Sequence, residues 1–347
     1  MERIPQSPPN IQPIPHDIPR PVWSVMIPTY NCASYIPQAI ESVLKQDLGA
    51  ALMQIEVIDD CSTDANIEEL VARVGKGRVV FFRQPKNVGS LRNFETCLNR
   101  ARGKYVHMLH GDDSVELNFY STIESLFNRF PTAGAAFTNF SYIDEHSYKV
   151  PMTNNNLLDE CGIINDFLYK IARRQLIQPP AIVVKREVDE RVGSFYAAHF
   201  GEDWEMWARI ASKYPVAYAP IRLAYYRVSN INSISQKSFL TGQNIIDIEK
   251  VINIIQNYLP ESKRHEIKNF ALAYYSIYCV KVANSLLRTN RKAAFIQAKG
   301  AFRMHKNLRT LFWVSRFYLM HLFRFKEWQQ ISGKIRAKFV SPAAVHK

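Results

Sequence analysis

Two adjacent carboxylates, Asp112 and Asp113, follow an apolar run in the stretch YVHMLHGDDSVE, residues 105–116. Like charges side by side repel, and a cation held between them removes that cost. Two carboxylates completed by phosphate oxygens and water make an oxygen-rich site suited to Mg2+ or Mn2+. His110 adds an imidazole, which Mn2+ accepts. A helix cap at Asp113 or Ser114 would account for one acidic residue but not for two. A second pair, Asp59 and Asp60, ends the apolar run QIEVIDD, where a carboxylate can hold a ribose hydroxyl or a base edge. The first apolar run ends in Pro28-Thr29-Tyr30-Asn31. Proline stops strand pairing there, and Tyr30 offers a flat face to a stacked base. The alternative is an ordinary turn with Asn31 as helix cap. Ser62, Thr63 and Asp64 read as caps of the next helix. Arg92 follows the turn residue Gly89 in a first helical turn, a poor place for a cation unless an anion, diphosphate or carboxylate, faces it. Glu202-Asp203 in GEDWEMWARI reads, on its own, as a helix N-terminus with dipole-favoured acids.

The elements that must position these residues alternate in type. VWSVMIPTY, QIEVIDD, RVVFFRQP, KYVHML and TAGAAFTNFSYID have the apolar character of strands. Between them, ASYIPQAIESVLKQ, TDANIEELVARV, SLRNFETCLNRARG and LNFYSTIESLFNRF have helical periodicity. This alternation predicts βαβ units and a parallel sheet covered on both faces. In such sheets ligands bind beyond the carboxyl ends of the strands, where both acidic pairs fall.

At 347 residues, with 47% hydrophobic and 12% aromatic content, the chain is long enough for a large core and too apolar for disorder. Its first twenty residues are Pro-rich and read as an extended arm, not a targeting signal. Five cysteines without C-x-x-C spacing predict reduced thiols and a cytoplasmic setting.

The net charge of +13 is unevenly spread. Residues 261–347 hold 18 Lys+Arg against 3 Asp+Glu, leaving 26 against 28 in the rest. A near-neutral body therefore carries a basic tail that should face something anionic. After residue 230 the pattern is helical throughout. LRTLFWVSRFYLMHLFRF has spanning length but carries Arg309, Arg316, His321 and Arg324, and central charges oppose insertion. An interfacial helix on an anionic membrane surface fits better, with Phe312, Trp313, Phe317, Phe323 and Phe325 beside basic residues. A helix packed on the body with solvated charges is the alternative.

The ordered motifs SVMIPTYNCASYIPQAIESVLKQ, EVIDDCSTD, NVGSLRN, LHGDD and GEDWEMWARI resemble those of glycosyltransferase family 2, over roughly residues 22–232. Each is short, but five in order are specific. The resemblance implies an α/β, GT-A Rossmann-like, mostly parallel sheet flanked by helices, followed by a C-terminal all-helical region. The boundaries expected are a 1–20 arm, a 21–235 catalytic domain (nucleotide-sugar half 21–115, acceptor half 116–235) and a 236–347 basic helical region. It implies an inverting transfer from a nucleotide-sugar, UDP favoured and dTDP next, to a hydroxyl of a glycan or lipid-linked acceptor.

Roles follow by position. Pro28, Thr29 and Tyr30 match the first nucleotide segment, Asp59 and Asp60 the base and ribose pair, and Arg92 a nucleotide- or phosphate-side contact. Asp112 matches the last Asp of the D-x-D metal motif, with Asp113 just after it, and Asp203 matches the general base. His110 stands where that motif has its first Asp. Ser229 stands where the family often has a histidine, leaving Arg227 for the phosphates. Oligomerisation is left open. A nucleotidyltransferase acting on sugar phosphates would also use paired acids, but no glycine-rich loop with a lysine lies near the N-terminus. Nucleic-acid binding would explain the basic tail and not the acids at strand ends. A non-catalytic sugar-nucleotide-binding protein would be expected to have lost Asp112 or Asp203, and both are present.

Overall fold

The structure, a computed structural model, describes residues 2–322 apart from 16, 19, 152–155 and 229–232. Ser229, Phe323, Arg324 and Phe325 therefore lie outside the described residues. In chain order the elements are β1 Trp23–Thr29, α1 Ile36–Leu44, β2 Met53–Asp59, α2 Ile67–Gly75, β3 Val80–Arg83, α3 Ser90–Arg100, β4 Tyr105–Met108, β5 Ser114–Val115 and α4 Phe119–Arg129. Next come β6 Ala135–Ile143, β7 Gly162–Ile163, α5 Phe167–Ile171, β8 Ile182–Lys185, α6 Arg186–Val192, α7 Glu202–Ala211 and β9 Val216–Arg227. The remainder is helical: α8 Ile234–Thr241, α9 Gln243–Ile255, α10 Glu261–Leu286, α11 Arg291–Met304 and α12 Leu308–Leu322.

One nine-stranded sheet runs β3-β2-β1-β4-β8-β6-β9-β5, with β7 paired to β9. Every residue of β1 and β2 is buried, as expected of central strands covered on both faces. The first four strands are parallel. Beyond them the sheet is mixed. β8 runs antiparallel to both β4 and β6, and β9 is parallel to β6 but antiparallel to β5 and β7.

β8 and β9 are not legible as strands in the sequence. β8 is a four-residue strand, three apolar residues and Lys185, too short to classify by period. β9 contains Pro220, a residue that argues against a central strand. Its register against β6 jumps from Thr138↔Ala219 to Asn139↔Arg222. Pro220 and Ile221 therefore fall in the irregularity, where a missing N–H breaks no ladder bond.

The chain forms two compact units. One comprises residues 1–238 and 246–271, the other 239–245 and 272–347. Residues 246–255 of α9 lie with the first unit. Ile248, Val251, Ile252 and Ile255 are buried, Asp247 accepts the Phe200 N–H (3.1 Å), and Lys250 donates to Ala197 O (2.7 Å).

The Pro-rich arm is fastened to this same unit. Pro5 O accepts from Ala197 N (3.0 Å) and Pro9 O from Ser194 N (2.8 Å). Gln12 binds Asn99 Oδ1 through its N–H and accepts from Arg186 Nη2 through its carbonyl, at 3.0 and 2.8 Å. Ile11 is buried.

The second unit packs Val282, Ala283, Leu286 and Leu287 against Ala293, Ala294, Ala298 and Phe317. Asn290 caps α11 by accepting from Ala293 N (3.0 Å). Asn244 and Gln297 exchange amide hydrogen bonds in its interior.

Candidate active site

The parallel register sets the ends of β1, β2 and β4 side by side, with Thr29 opposite Asp59 and Met26 opposite Met108. Past the strand ends the ladder continues on both sides: Asp60 N donates to Thr29 O (2.9 Å), and Leu109 N and Gly111 N donate to Met26 O (3.0 Å) and Pro28 O (3.1 Å). Only glycine fits at position 111, since a Cβ there would lie 2.7 Å from Cys32 Sγ and 3.0 Å from Thr29 Oγ1. This close approach delivers His110, Asp112 and Asp113 to one place.

One ligand atom from each of these three residues lies within 4.8 Å of the others. Asp113 is buried. Its Oδ1 accepts the Arg227 N–H at 2.8 Å, while Oδ2 has no partner. Burial, with the Asp112 charge behind it, pushes the Asp113 carboxyl well above the usual range. The His110 ring stacks on Phe94 (centroids 5.1 Å apart, planes 14° apart). Burial lowers its pKa against the opposing pull of Asp112, which favours the neutral, metal-ligating form. An orphaned buried carboxylate oxygen beside a second carboxylate and a neutral imidazole fits Mn2+ or Mg2+, which would satisfy all three.

Asp203 lies in the first turn of α7, after Gly201 (φ +90°). Its Oδ2 accepts from Gln175 Nε2 and its Oδ1 from Trp204 N, both at 2.7 Å. Burial raises its pKa from 3.8 to about 6, against those two hydrogen bonds. Burial, reinforced by the Asp203 charge, holds Glu202 well above the carboxylate range.

The remaining predicted residues are placed with different duties. Tyr30 is 49% exposed, so its ring is open to a partner, whereas Thr29 is buried. Pro28 sits inside β1. Asp59 is fully buried and accepts from Ser62 N and Ser62 Oγ at 3.1 and 2.5 Å, while Arg83 pairs with it at 2.7 Å. Asp60 holds the turn before α3, accepting from Val88 N (2.6 Å), Gly89 N (2.9 Å) and Asn87 Nδ2 (3.0 Å). Burial raises its pKa and the two backbone N–H groups oppose that rise. Arg92 faces a carboxylate, Glu95 at 2.6 Å, and donates to Glu2 O at 2.8 Å.

Arg227 is not left open for phosphate. It is buried and donates to Asp112 O (2.8 Å), Gln38 Oε1 (2.7 Å), Ser147 Oγ (3.0 Å) and Asp144 O. Its guanidinium also lies 4.4 Å from the Tyr35 ring centroid.

The capping assignments change too. Asn31 does not cap α1; its side chain accepts from Thr63 N (2.8 Å) and its own N–H donates to Ser62 Oγ (2.9 Å). Asp64 accepts from Ala33 N (2.8 Å). The α2 cap is Asn66, whose side chain accepts from Glu69 N (3.2 Å). Ser62, Thr63 and Asp64 therefore tie the β2 end to the β1 end. Sequence reasoning missed Gln175, the side-chain partner of Asp203, and Arg3, which donates to Asn87 Oδ1. Neither carries a local pattern that marks it.

This sheet, with a carboxylate–histidine cluster past its fourth strand, is the architecture of a GT-A glycosyltransferase. The sequence model of glycosyl transferase family 2 matches residues 24–191, and this segment is a glycosyltransferase domain of that family. The chain resembles chondroitin synthase of Escherichia coli, with 27% identity over 44% of this chain and 23% of that protein. It also resembles the minor teichoic acid biosynthesis protein GgaB of Bacillus subtilis, with 23% identity over 71% of this chain and 27% of that one. It thus spans about a quarter of the length of these two relatives. Among solved structures, Staphylococcus aureus TarS residues 1–349 in complex with UDP-GlcNAc shares the fold: TM-score 0.64, 15% identity, covering 81% of this chain and 80% of that one.

Proposed function

We propose that the enzyme transfers a sugar from a nucleoside-diphosphate sugar, UDP-linked before dTDP-linked, to a hydroxyl of a glycan or lipid-linked acceptor, with inversion. The observation that carries this reading is the cluster of His110, Asp112 and Asp113, with its one unpartnered buried oxygen, at the strand ends where nucleotides bind in open α/β sheets. The TarS likeness, to a structure that holds UDP-GlcNAc, supports a UDP-sugar donor.

His110, Asp112 and Asp113 would hold a divalent cation, Mn2+ or Mg2+. When bound, such a cation neutralises negative charge developing on a leaving diphosphate. Asp203 takes the proton from the acceptor hydroxyl as that oxygen attacks the anomeric carbon from the face opposite the diphosphate. A carboxyl raised to about 6 is mostly ionised at neutral pH and still a better base than a free aspartate. Tyr30 stacks on the base. Asp59 and Asp60 act through the turns they hold: Asp60 fixes the Asn87–Gly89 turn and Asp59 the Ser62 turn. The buried guanidinium of Arg227 positions the loop of Asp112 and Asp113.

The test measures nucleoside-diphosphate release from a panel of UDP- and dTDP-sugars, with and without Mn2+, in the presence of cell-envelope glycan acceptors. Release that needs both a UDP-sugar and the cation supports the reading. No release from any member, with UDP binding also absent by calorimetry, refutes it.

A further inference from the structure

We infer that α12 of the second unit docks on an anionic lipid surface, lying in its plane. The helix is apolar on two opposite sides. One side is buried through Thr310, Val314 and Phe317. The other is exposed: Leu308 at 86%, Phe312 at 61%, Leu311 at 47% and Leu319 at 46%. At 3.6 residues per turn, Leu308, Leu311, Phe312, Ser315 and Leu319 fall within about 100° of arc, facing away from the buried side. A helix packed on its own unit needs only one apolar stripe. Among the described residues of that unit nothing covers the second stripe.

Charge decides which occupant. Residues 272–322 contain nine Lys and Arg and no Asp or Glu. Arg309 and Arg316 fall along one border of the exposed stripe on the helical wheel, the latter with its guanidinium 5.2 Å from the Trp313 ring centroid. Lys306, immediately before the helix, sits 5.8 Å from the ring centroid of Phe302, itself 40% exposed. Aliphatic and aromatic residues bordered by cations, with no carboxylate anywhere in residues 272–322, match the acyl–headgroup boundary of an anionic bilayer. A second copy of the same unit would set nine cations against nine and repel. Among the described residues no helix is long and apolar enough to cross a membrane, so the contact is interfacial.

The test is flotation of the full chain with vesicles of phosphatidylcholine alone or with one-third phosphatidylglycerol, at low and high salt. The expected result is flotation with the anionic vesicles at low salt and its loss with neutral lipid or high salt. L311D/F312D removes the exposed stripe without touching the buried one, and should reduce partitioning at least tenfold while the melting temperature holds. K306Q/R309Q should reduce it about thirtyfold, at about 1 kcal/mol for each basic residue near the surface. No flotation of the unsubstituted chain at low salt with anionic vesicles overturns the inference. So does equal flotation of both variants. A soluble dimer that L311D/F312D converts to monomer would overturn it as well, and assign the stripe to a second copy.

Discussion

Replacing Asp203 by Asn should trade activity for stability in a pH-dependent way. The carboxyl is raised from 3.8 to about 6 mainly by burial, so the fold favours its neutral form. The stabilisation of the protonated group is complete below about pH 3.8 and is lost as pH rises through about 6. At pH 7.5 the ionised form costs about 3 kcal/mol at about 1.4 kcal/mol per pKa step, and partial solvent access trims this to about 1–2 kcal/mol. Asn is neutral at every pH; its Oδ1 keeps the Trp204 N–H, and its Nδ2 can bond Gln175 once that side-chain amide turns over to offer its oxygen. Asp203→Asn should therefore melt about 2–5 °C higher at pH 7.5 and no higher at pH 3.5. Sugar transfer should fall about 10²–10⁴-fold, the usual contribution of a positioned base, with donor affinity unchanged. In the unsubstituted enzyme, transfer should rise with pH through about 6 as Asp203 ionises. Differential scanning fluorimetry at the two pH values, UDP-release kinetics and donor titration supply the readings. An unchanged or lower melting temperature at pH 7.5 would refute the burial argument. Retained transfer would refute the base, and collapsed donor affinity would move Asp203 to the donor site.

Asp112→Ala should abolish cation-stimulated transfer without lowering the melting temperature, because it removes a charge that burdens the buried Asp113; unaltered turnover with Mn2+ would contradict the cation site. Arg227→Gln should destabilise the protein by about 2–4 kcal/mol, since a buried cation's several acceptors lose their donors, with chemical denaturation as the readout. A change below about 0.5 kcal/mol would show that those bonds contribute little. Deleting residues 2–12 should lower the melting temperature by several degrees, because Ser194 N, Ala197 N and Arg186 lose Pro9, Pro5 and Gln12 as acceptors. An unchanged melt would mean that the arm only lies on the surface.

Much of this protein was written in local pattern. Apolar runs alternating with helical periodicity fixed the four parallel strands and their helices. The ordered motifs identified the family, and His110, Asp112 and Asp113 stand so close in sequence that the end of one strand delivers them together. The basic helical C-terminal region, too, follows from composition alone.

Only the tertiary structure decided which polar groups are spent and which are left over. Asp59 and Asp113 look alike as acids near strand ends. The first is consumed by Ser62 and Arg83, while the second keeps an oxygen without a donor. Arg227, which the sequence leaves for phosphate, is used up on Asp112, Asp144, Gln38 and Ser147. Gln175, in a loop with no pattern of its own, becomes the partner of Asp203. The direction of β8 and the bulge that admits Pro220 into β9 were decided in the same way. Periodicity reports which face of an element is buried, a property of neighbours along the chain. Hydrogen-bond satisfaction and strand order join residues tens to nearly two hundred positions apart, and they are set only when those residues meet.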